Sequence, residues 1–197
     1  MLTRHAPTLA AVLCLTAGAA FGSHGVYLQA KALLAQVLLE RAWRVTAAGG
    51  RDVKPWPWAD TWPVARLRVP RLGRTAIVLS AAGGESLAFA PSHVAGSALP
   101  GQPGTSVIAG HRDTHFRFLR ELVPGDEIEI TPPRGGTHRY RVTRSAIVNA
   151  GASGIEADEG DTPRLALVTC WPFDALQSGS RLRYVVFAES AEAGAAP

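Results

Sequence analysis

The pattern of hydrophobic and polar residues divides the chain into an apolar N-terminal stretch, a helix and a series of short strands. Residues 6–28 contain no Asp, Glu, Lys or Arg and are rich in Ala, Leu, Val and Gly. About 20 apolar residues are enough to cross a bilayer as a helix. The pattern therefore predicts an N-terminal membrane anchor, the signal-anchor helix of residues 1–30.

The charges that flank this stretch predict its orientation. Arg4 precedes it, and the next positive charge is Lys31. The positive-inside tendency then leaves the N-terminus in the cytoplasm and places the rest of the chain outside. A signal peptide cleaved near Ala17-Gly18-Ala19 is the alternative. The uncleaved anchor is favoured because the apolar stretch continues through Leu28.

Residues 31–63 are predicted to form an amphipathic helix followed by an arm. Apolar residues recur at helical spacing over Lys31–Arg44, and Gly49 and Gly50 end the pattern. The arm interleaves Pro55, Pro57 and Pro63 with Trp56, Trp58 and Trp62. The prolines predict an extended path. The tryptophans either pin the arm across the next domain or serve as a lid or docking strip for a partner.

From residue 64 the pattern changes to short strands separated by turn residues. Ala65–Val69 alternates strictly between apolar and polar positions. Further strands are predicted at 76–79, 106–109, 126–130, 140–142, 165–168 and 182–187, with a short helix at 116–122. Such spacing predicts an antiparallel barrel or sandwich over residues 64–190. Residues 191–197 are predicted to be a disordered tail.

Composition narrows the classes of function. The chain has 20 Lys+Arg and 16 Asp+Glu, a net charge of +4, and these charges are spread along it rather than clustered. This spread argues against a nucleic-acid partner. The two cysteines, Cys14 and Cys170, exclude a disulfide scaffold and a thiolate-rich metal site. The sequence also supplies no convincing cluster of metal ligands, and no cofactor is expected.

Two residues at strand ends are candidates for chemistry. Cys170 ends an apolar strand and is followed by Trp171-Pro172, so the thiol lies where a loop begins. A thiol with a pKa of about 8.5 needs a base or a cation beside it to react at neutral pH. His111 ends another apolar run, and two strand ends can meet at a barrel rim. His115 is the nearest alternative base.

A cation could stabilise the oxyanion that forms when a thiolate attacks a carbonyl. Arg181 and Arg183 lie at the start of the last strand. The period of two places both side chains on the same face, so their spacing does not distinguish them.

Three motifs together resemble those of the sortase family. Ala166-Leu167-Val168-Thr169-Cys170 resembles the sortase signature Thr-Leu-x-Thr-Cys, with Ala166 in place of the first Thr. Ala109-Gly110-His111-Arg112 is similar to the histidine motif, and Arg183-Tyr184-Val185-Val186 matches the start of the closing strand. The resemblance covers roughly residues 64–188. The segment Cys170–Leu176, with the Trp-Pro arm and a single anchor, is most similar to the Gram-negative group called class GN.

The resemblance implies a closed antiparallel β-barrel of about eight strands with short helices, preceded by a transmembrane helix. It implies that Cys170 is the nucleophile, His111 the acid and base, and Arg183 the cation that positions the substrate and supports the transition state. It further implies a substrate-binding role for Thr169, Ala109 and Gly110. The roles of Asp113 and His115 stay open.

The activity that the resemblance implies is that of a membrane-anchored cysteine transpeptidase. Such an enzyme cleaves an LPxT-like C-terminal sorting signal of an exported protein through a thioester on Cys170, and transfers the protein to an amine acceptor in the envelope. The expected location is the inner membrane, with a single span and the catalytic domain on the periplasmic side.

Two alternatives stay open. One is an L,D-transpeptidase-like enzyme acting on peptidoglycan, although that family places its cysteine in a Ser-His-Gly-Cys context that Thr169-Cys170-Trp171 does not match. The other is a non-catalytic anchored barrel that binds an envelope partner.

Overall fold

The computed structural model describes residues 6–80, 86–151, 160–175 and 179–191. The chain divides into two units, Met1–Leu38 and Leu39–Pro197. Arg4, Leu176 and residues 192–197 of the predicted tail lie outside the described residues.

A long helix, α1, spans Ala6–Ala47 and includes both the apolar stretch and the predicted amphipathic helix. None of the helices in the described ranges is both long enough and apolar enough to cross a membrane. The predicted membrane span at residues 6–28 is therefore not supported. Large apolar side chains of this part of α1, including Leu15, Phe21 and Val26, are exposed.

Eight strands of the described residues close into a barrel in the order β1-β2-β3-β4-β7-β8-β6-β5, and β5 pairs with β1. The strands are β1 Pro63–Val69, β2 Arg74–Leu79, β3 Ser92–His93, β4 Gly104–Ala109, β5 Glu127–Thr131, β6 His138–Asn149, β7 Pro163–Cys170 and β8 Leu182–Ser190. The prediction of a closed β-barrel of about eight strands is confirmed. All of the predicted strands are present, and only β3, with two residues, was missed.

The expectation of a wholly antiparallel barrel is wrong for two strand pairs. β4 and β7 are parallel, in register from Gly104↔Pro163 to Ala109↔Val168. β2 and β3 are also parallel, at Leu79↔Ser92. Two strands can run in the same direction when a long connection joins them. Here β5 and β6 lie between β4 and β7 in the chain, so β7 can return beside β4 in the same direction.

The alternation along β7 separates the inside of the barrel from its outer face. Leu165 and Leu167 belong to the large cluster inside the barrel, together with Ile108, Tyr140 and Val186. Ala166 and Val168 instead pack with Val107, Val185 and Phe187 in a second cluster. Successive side chains of a strand point to opposite faces. Thr169 therefore points inward, and Cys170 lies on the outer face.

Short helices complete the barrel unit. They are α2, Ser86–Phe89, and two 3-10 helices, Pro70–Leu72 and Arg117–Glu121. The second 3-10 helix confirms the short helix predicted at residues 116–122. In the arm, Trp56 packs edge-on against Phe89 with ring centroids 4.8 Å apart, whereas Trp58 is 82% exposed. Trp56 thus holds the arm on the barrel unit.

Candidate active site

Strand direction gathers the predicted site residues at one rim of the barrel. β4 and β7 run in parallel, so the ends of both strands reach the same rim. β8 is antiparallel to β7 and begins at that rim. Cys170 is the last residue of β7, His111 follows β4 by two residues, and Arg183 is the second residue of β8.

Cys170 and Arg183 are direct cross-strand partners. The N–H of Trp171 donates to the carbonyl of Leu182 (N···O 3.1 Å), which makes the next pair along the ladder a hydrogen-bonded one. Pairs alternate in an antiparallel ladder, so Cys170 and Arg183 form a non-hydrogen-bonded pair, in which Cα atoms are about 4.5 Å apart and side chains are closest. Both side chains are partly exposed on the same outer face.

Hydrogen bonds hold the histidine segment against the end of β7. The N–H of Gly110 donates to the carbonyl of Val168 (3.0 Å), and the hydroxyl of the buried Thr169 donates to the carbonyl of Gly110 (2.8 Å). The exposed His111 follows directly. Thr169 thus uses its hydroxyl to position the backbone of Gly110, and its side chain points into the barrel.

Close packing explains why a glycine precedes the histidine. A Cβ atom on Gly110 would lie 2.7 Å from Cδ2 of Phe116, a ring that is completely buried. The N–H of Phe116 in turn donates to the carbonyl of His111 (3.0 Å). The small residue therefore lets the histidine segment fold tightly over the core.

The register separates the two arginines that spacing alone could not. Arg183 lies within β8 opposite Cys170, whereas Arg181 precedes the strand and is exposed. Nη1 of Arg183 donates to the carbonyls of Ser180 (2.7 Å) and Leu182 (2.9 Å). The Arg183 guanidinium is thus held at the beginning of the closing strand.

Sequence reasoning missed Arg112, which lies at this rim and is only 8% exposed. Its guanidinium forms a two-pronged ion pair with Asp113, with distances of 2.7 Å (Nε to Oδ1) and 2.9 Å (Nη2 to Oδ2). It also donates to the carbonyls of Pro172 (2.6 Å) and Ala175 (2.9 Å) in the loop after Cys170. The adjacent opposite charges of Arg112 and Asp113, next to His111, were the only signal in the sequence.

The charges of the rim act on one another. The hydrogen bond from Arg112 is the main cause that lowers the pKa of Asp113, and the positive charges of Arg112 and Arg117 contribute in the same direction. Burial lowers the pKa of His115, against the opposing effect of its hydrogen bond to the backbone of Ala88. His115, the alternative base, is half-buried, and its lowered pKa favours the neutral form. His111, in contrast, is exposed.

An aromatic cluster lies beside the nucleophile candidate. The ring of Trp171 stacks on Tyr184 (centroids 5.8 Å apart), and Phe173 meets both rings edge-on, at 5.1 Å from Tyr184 and 5.6 Å from Trp171. Phe173 and Tyr184 also pack against the core inside the barrel. The first residues of the loop that follows Cys170 are therefore packed against other aromatic rings and against the core.

A pocket lies outside the rim, and a group of metal ligands would be a second possible kind of binding site. A pocket is lined by residues that include Trp62, Pro100 and His138, none of which is a predicted site residue. Among the described residues, no group of three or more His, Cys, Asp or Glu side chains could hold a metal ion.

The sortase-domain family matches residues 67–191 of the chain. Sortase D of Bacillus subtilis (strain 168) is 26% identical over 121 residues, which are 61% of this chain and 60% of that protein. A sortase D5 transpeptidase from Clostridium perfringens has a similar fold, with a TM-score of 0.59 and 21% identity over 77% of this chain and 88% of its own. Sortase A from Corynebacterium diphtheriae has a TM-score of 0.60, with 22% identity over 80% and 84%.

Proposed function

The chain belongs to the sortase family of cysteine transpeptidases, and on that premise we propose that it cleaves an LPxT-like sorting signal at the C-terminus of an exported protein. Sortases in general act on proteins that carry a sorting signal and on amine acceptors, and they are associated with the cell envelope. In this proposal Cys170 is the nucleophile, His111 the acid and base, and Arg183 the cation at the oxyanion.

The first half-reaction forms a thioester. The Cys170 thiolate attacks the carbonyl carbon of the signal threonine, an S–C bond forms, and the carbonyl electrons move onto oxygen. Arg183 stabilises this oxyanion. When the intermediate collapses, the C–N bond breaks, and the departing amine takes a proton from the His111 imidazolium.

The second half-reaction releases the product. The amine of the acceptor attacks the thioester carbonyl and gives its proton to His111. The S–C bond then breaks and returns the thiolate, and the exported protein is joined to the acceptor through a new amide. Attack by water in place of the amine gives hydrolysis.

The observation that carries the proposal is the pairing of Cys170 with Arg183 beside the anchored histidine segment. The two side chains lie opposite each other on the outer face, in the closest type of cross-strand pair. Nη1 of Arg183 binds loop carbonyls, and within the described residues the guanidinium makes no other hydrogen bond. Nε and Nη2 are therefore the donors that the proposal assigns to the oxyanion.

Intact-mass measurement after mixing the full chain with an LPxT-type peptide tests this function. We expect a thioester adduct on the wild-type chain and none on Cys170→Ala, and Cys14→Ala is the matched control that keeps the adduct. A folded wild-type chain that forms no adduct with any candidate signal would favour a non-catalytic barrel that binds an envelope partner.

Two finer assignments belong to the same proposal. The Trp-Pro arm and the segment that follows Cys170 support membership of class GN. The uncharged residues 6–28 and the exposed apolar side chains of α1 support attachment to the inner membrane, with the barrel on the periplasmic side. Carbonate extraction, followed by protease treatment of spheroplasts, tests the attachment: release by carbonate or protection of the barrel would contradict it.

A further inference from the structure

The side chain of Arg112 turns away from solvent although the neighbouring His111 is exposed. Its side chain is 9% exposed, while that of its partner Asp113 is 67% exposed. Arginine is almost never buried to this extent unless it is paired. The buried member of this ion pair is thus the cation, and it lies at the rim that carries Cys170.

Only part of the guanidinium is used by Asp113. Nη1 donates to the carbonyl of Pro172 and Nη2 to that of Ala175, two and five positions after Cys170. Hydrogen bonds from a cationic donor are stronger than neutral ones. Arg112 therefore ties the loop that leaves the nucleophile to the segment that carries the histidine.

The charged and titratable groups of the rim come from several elements. They are His111, Arg112 and Asp113 after β4, Asp174 after β7, and Arg183 on β8, which pairs with Cys170. Arg117 and Arg120 of the second 3-10 helix interact with Asp113 and Asp174 in turn. Asp113 raises the pKa of Arg112 most, and the charges of Cys170 and Asp174 also raise it. Arg112 therefore keeps its positive charge, and Cys170 lies within the electrostatic reach of that charge.

We propose that Arg112 is a positioning residue for Cys170. It fixes the loop after the nucleophile through two backbone carbonyls and supplies a permanent positive charge at the rim that carries the thiol. This role rests on the proposed function of Cys170 as the nucleophile. It differs from that of Arg183, whose Nη1 binds the carbonyls of Ser180 and Leu182 at the other end of the same loop.

The test measures the reactivity of Cys170 without any substrate. In the full chain carrying Cys14→Ser, Cys170 is the remaining thiol, and its alkylation by iodoacetamide is followed by intact mass from pH 5 to pH 10. For Arg112→Gln we expect the midpoint to rise by about one pH unit, which slows alkylation at pH 7 about tenfold. Arg112→Lys keeps the charge and should move the midpoint by less than half as much.

The matched control is Arg141→Gln, an exposed arginine on β6, and its profile should equal that of the wild type. A folded Arg112→Gln chain with the wild-type midpoint overturns the proposal. If Arg112→Gln does not fold, peptide transfer by the Arg112→Lys variant is measured instead. We then expect kcat for peptide transfer to fall at least about fivefold with little change in KM, because the loop is less well placed, and a wild-type kcat overturns the proposal.

Alkylation needs no sorting signal, so this readout is independent of the proposed transpeptidase activity. A chain that joins no peptide can still show the Arg112 effect, and a chain with full transpeptidase activity can still lack it.

Discussion

The rim that carries Cys170 and the corner where the β1–β2 turn meets β5 each contain an arginine–aspartate pair. In the rim pair the arginine side chain is 9% exposed and the aspartate 67%. In the corner pair, Arg71–Asp126, the arginine is 49% exposed and the aspartate 5%. Each arginine also donates to backbone carbonyls, Arg112 in the loop after the nucleophile and Arg71 at Glu121 (2.6 Å).

The difference in burial separates the two roles. At the corner the buried charge is an anion, and Asp126 is satisfied locally by Arg71 and by the N–H of Val123 (2.8 Å). That pair joins the Pro70–Leu72 helix between β1 and β2 to the end of the Arg117–Glu121 helix and to the start of β5. At the rim the buried charge is a cation, Arg112, and it binds the loop that follows Cys170. Changes at the rim should therefore alter the reaction, and changes at the corner should alter stability.

The largest effects are expected from the two residues to which the proposal assigns proton transfer and oxyanion stabilisation. His111→Ala and Arg183→Ala should each lower the rate of peptide transfer by at least ~10², because the leaving amine loses its proton donor or the oxyanion loses its cation. Both side chains reach solvent, so the melting temperature should change little. Arg181→Ala is the control for Arg183, and equal losses at both arginines would contradict the assignment from the register.

A smaller loss at the rim is expected from Gly110→Ala. The added methyl group would meet the Phe116 ring, so the histidine segment or the ring must shift. Overpacking of this kind costs about 1–3 kcal/mol, and misplacement of the histidine should lower kcat at least about tenfold. Gly136→Ala, where a Cβ meets nothing within 4 Å, is the control. Unchanged kcat in Gly110→Ala would show that the close contact is not needed.

At the corner, Asp126→Asn should lower the melting temperature by about 3–8 °C and leave peptide transfer at low temperature within about twofold of the wild type. The hydrogen bond from Arg71 lowers the pKa of Asp126. The stabilisation by this carboxylate is therefore complete above its ordinary pKa of about 3.9 and is lost as the pH falls through the lower folded-state pKa. Thermal melts from pH 7 to pH 3 measure both effects.

Glu127→Gln is the matched control for Asp126→Asn, because the side chains of Glu127 and its partner Arg139 both reach solvent and such a pair contributes little. A loss of catalysis in Asp126→Asn as large as that in the rim variants would remove the distinction between the two regions.

The smallest effect is a pH dependence from His115. Burial lowers its pKa in the folded state, so the unfolded chain binds the proton first. Stability should therefore fall as the pH drops below about 6.5 and stop falling below the folded-state pKa. His115→Gln should lose this part of the decline, by about 1–3 °C in the melting temperature between pH 8 and pH 5. Parallel wild-type and variant curves would contradict it.

Local patterns in the sequence were sufficient to predict the strands and most of the candidate site. Short apolar or alternating runs separated by turn residues located seven of the eight strands within the described residues, and β3 is too short to show a pattern. The end of an apolar strand marked Cys170, and the end of another marked His111. The positions of strands and strand ends depend on residues only a few places apart in the chain, so they can be predicted from the sequence alone.

Features that depend on distant residues required the tertiary structure. The parallel pairing of β4 with β7 follows from where two separated strands pack, and it decides which strand ends share a rim. The motif resemblance had selected Arg183 over Arg181, and the tertiary structure adds the register that places Arg183 opposite Cys170. Arg112 was missed because backbone carbonyls 60 and 63 positions away, at Pro172 and Ala175, bind its side chain, and a carbonyl has no sequence signature. Local periodicity specifies elements, but only packing brings the charges of different elements together.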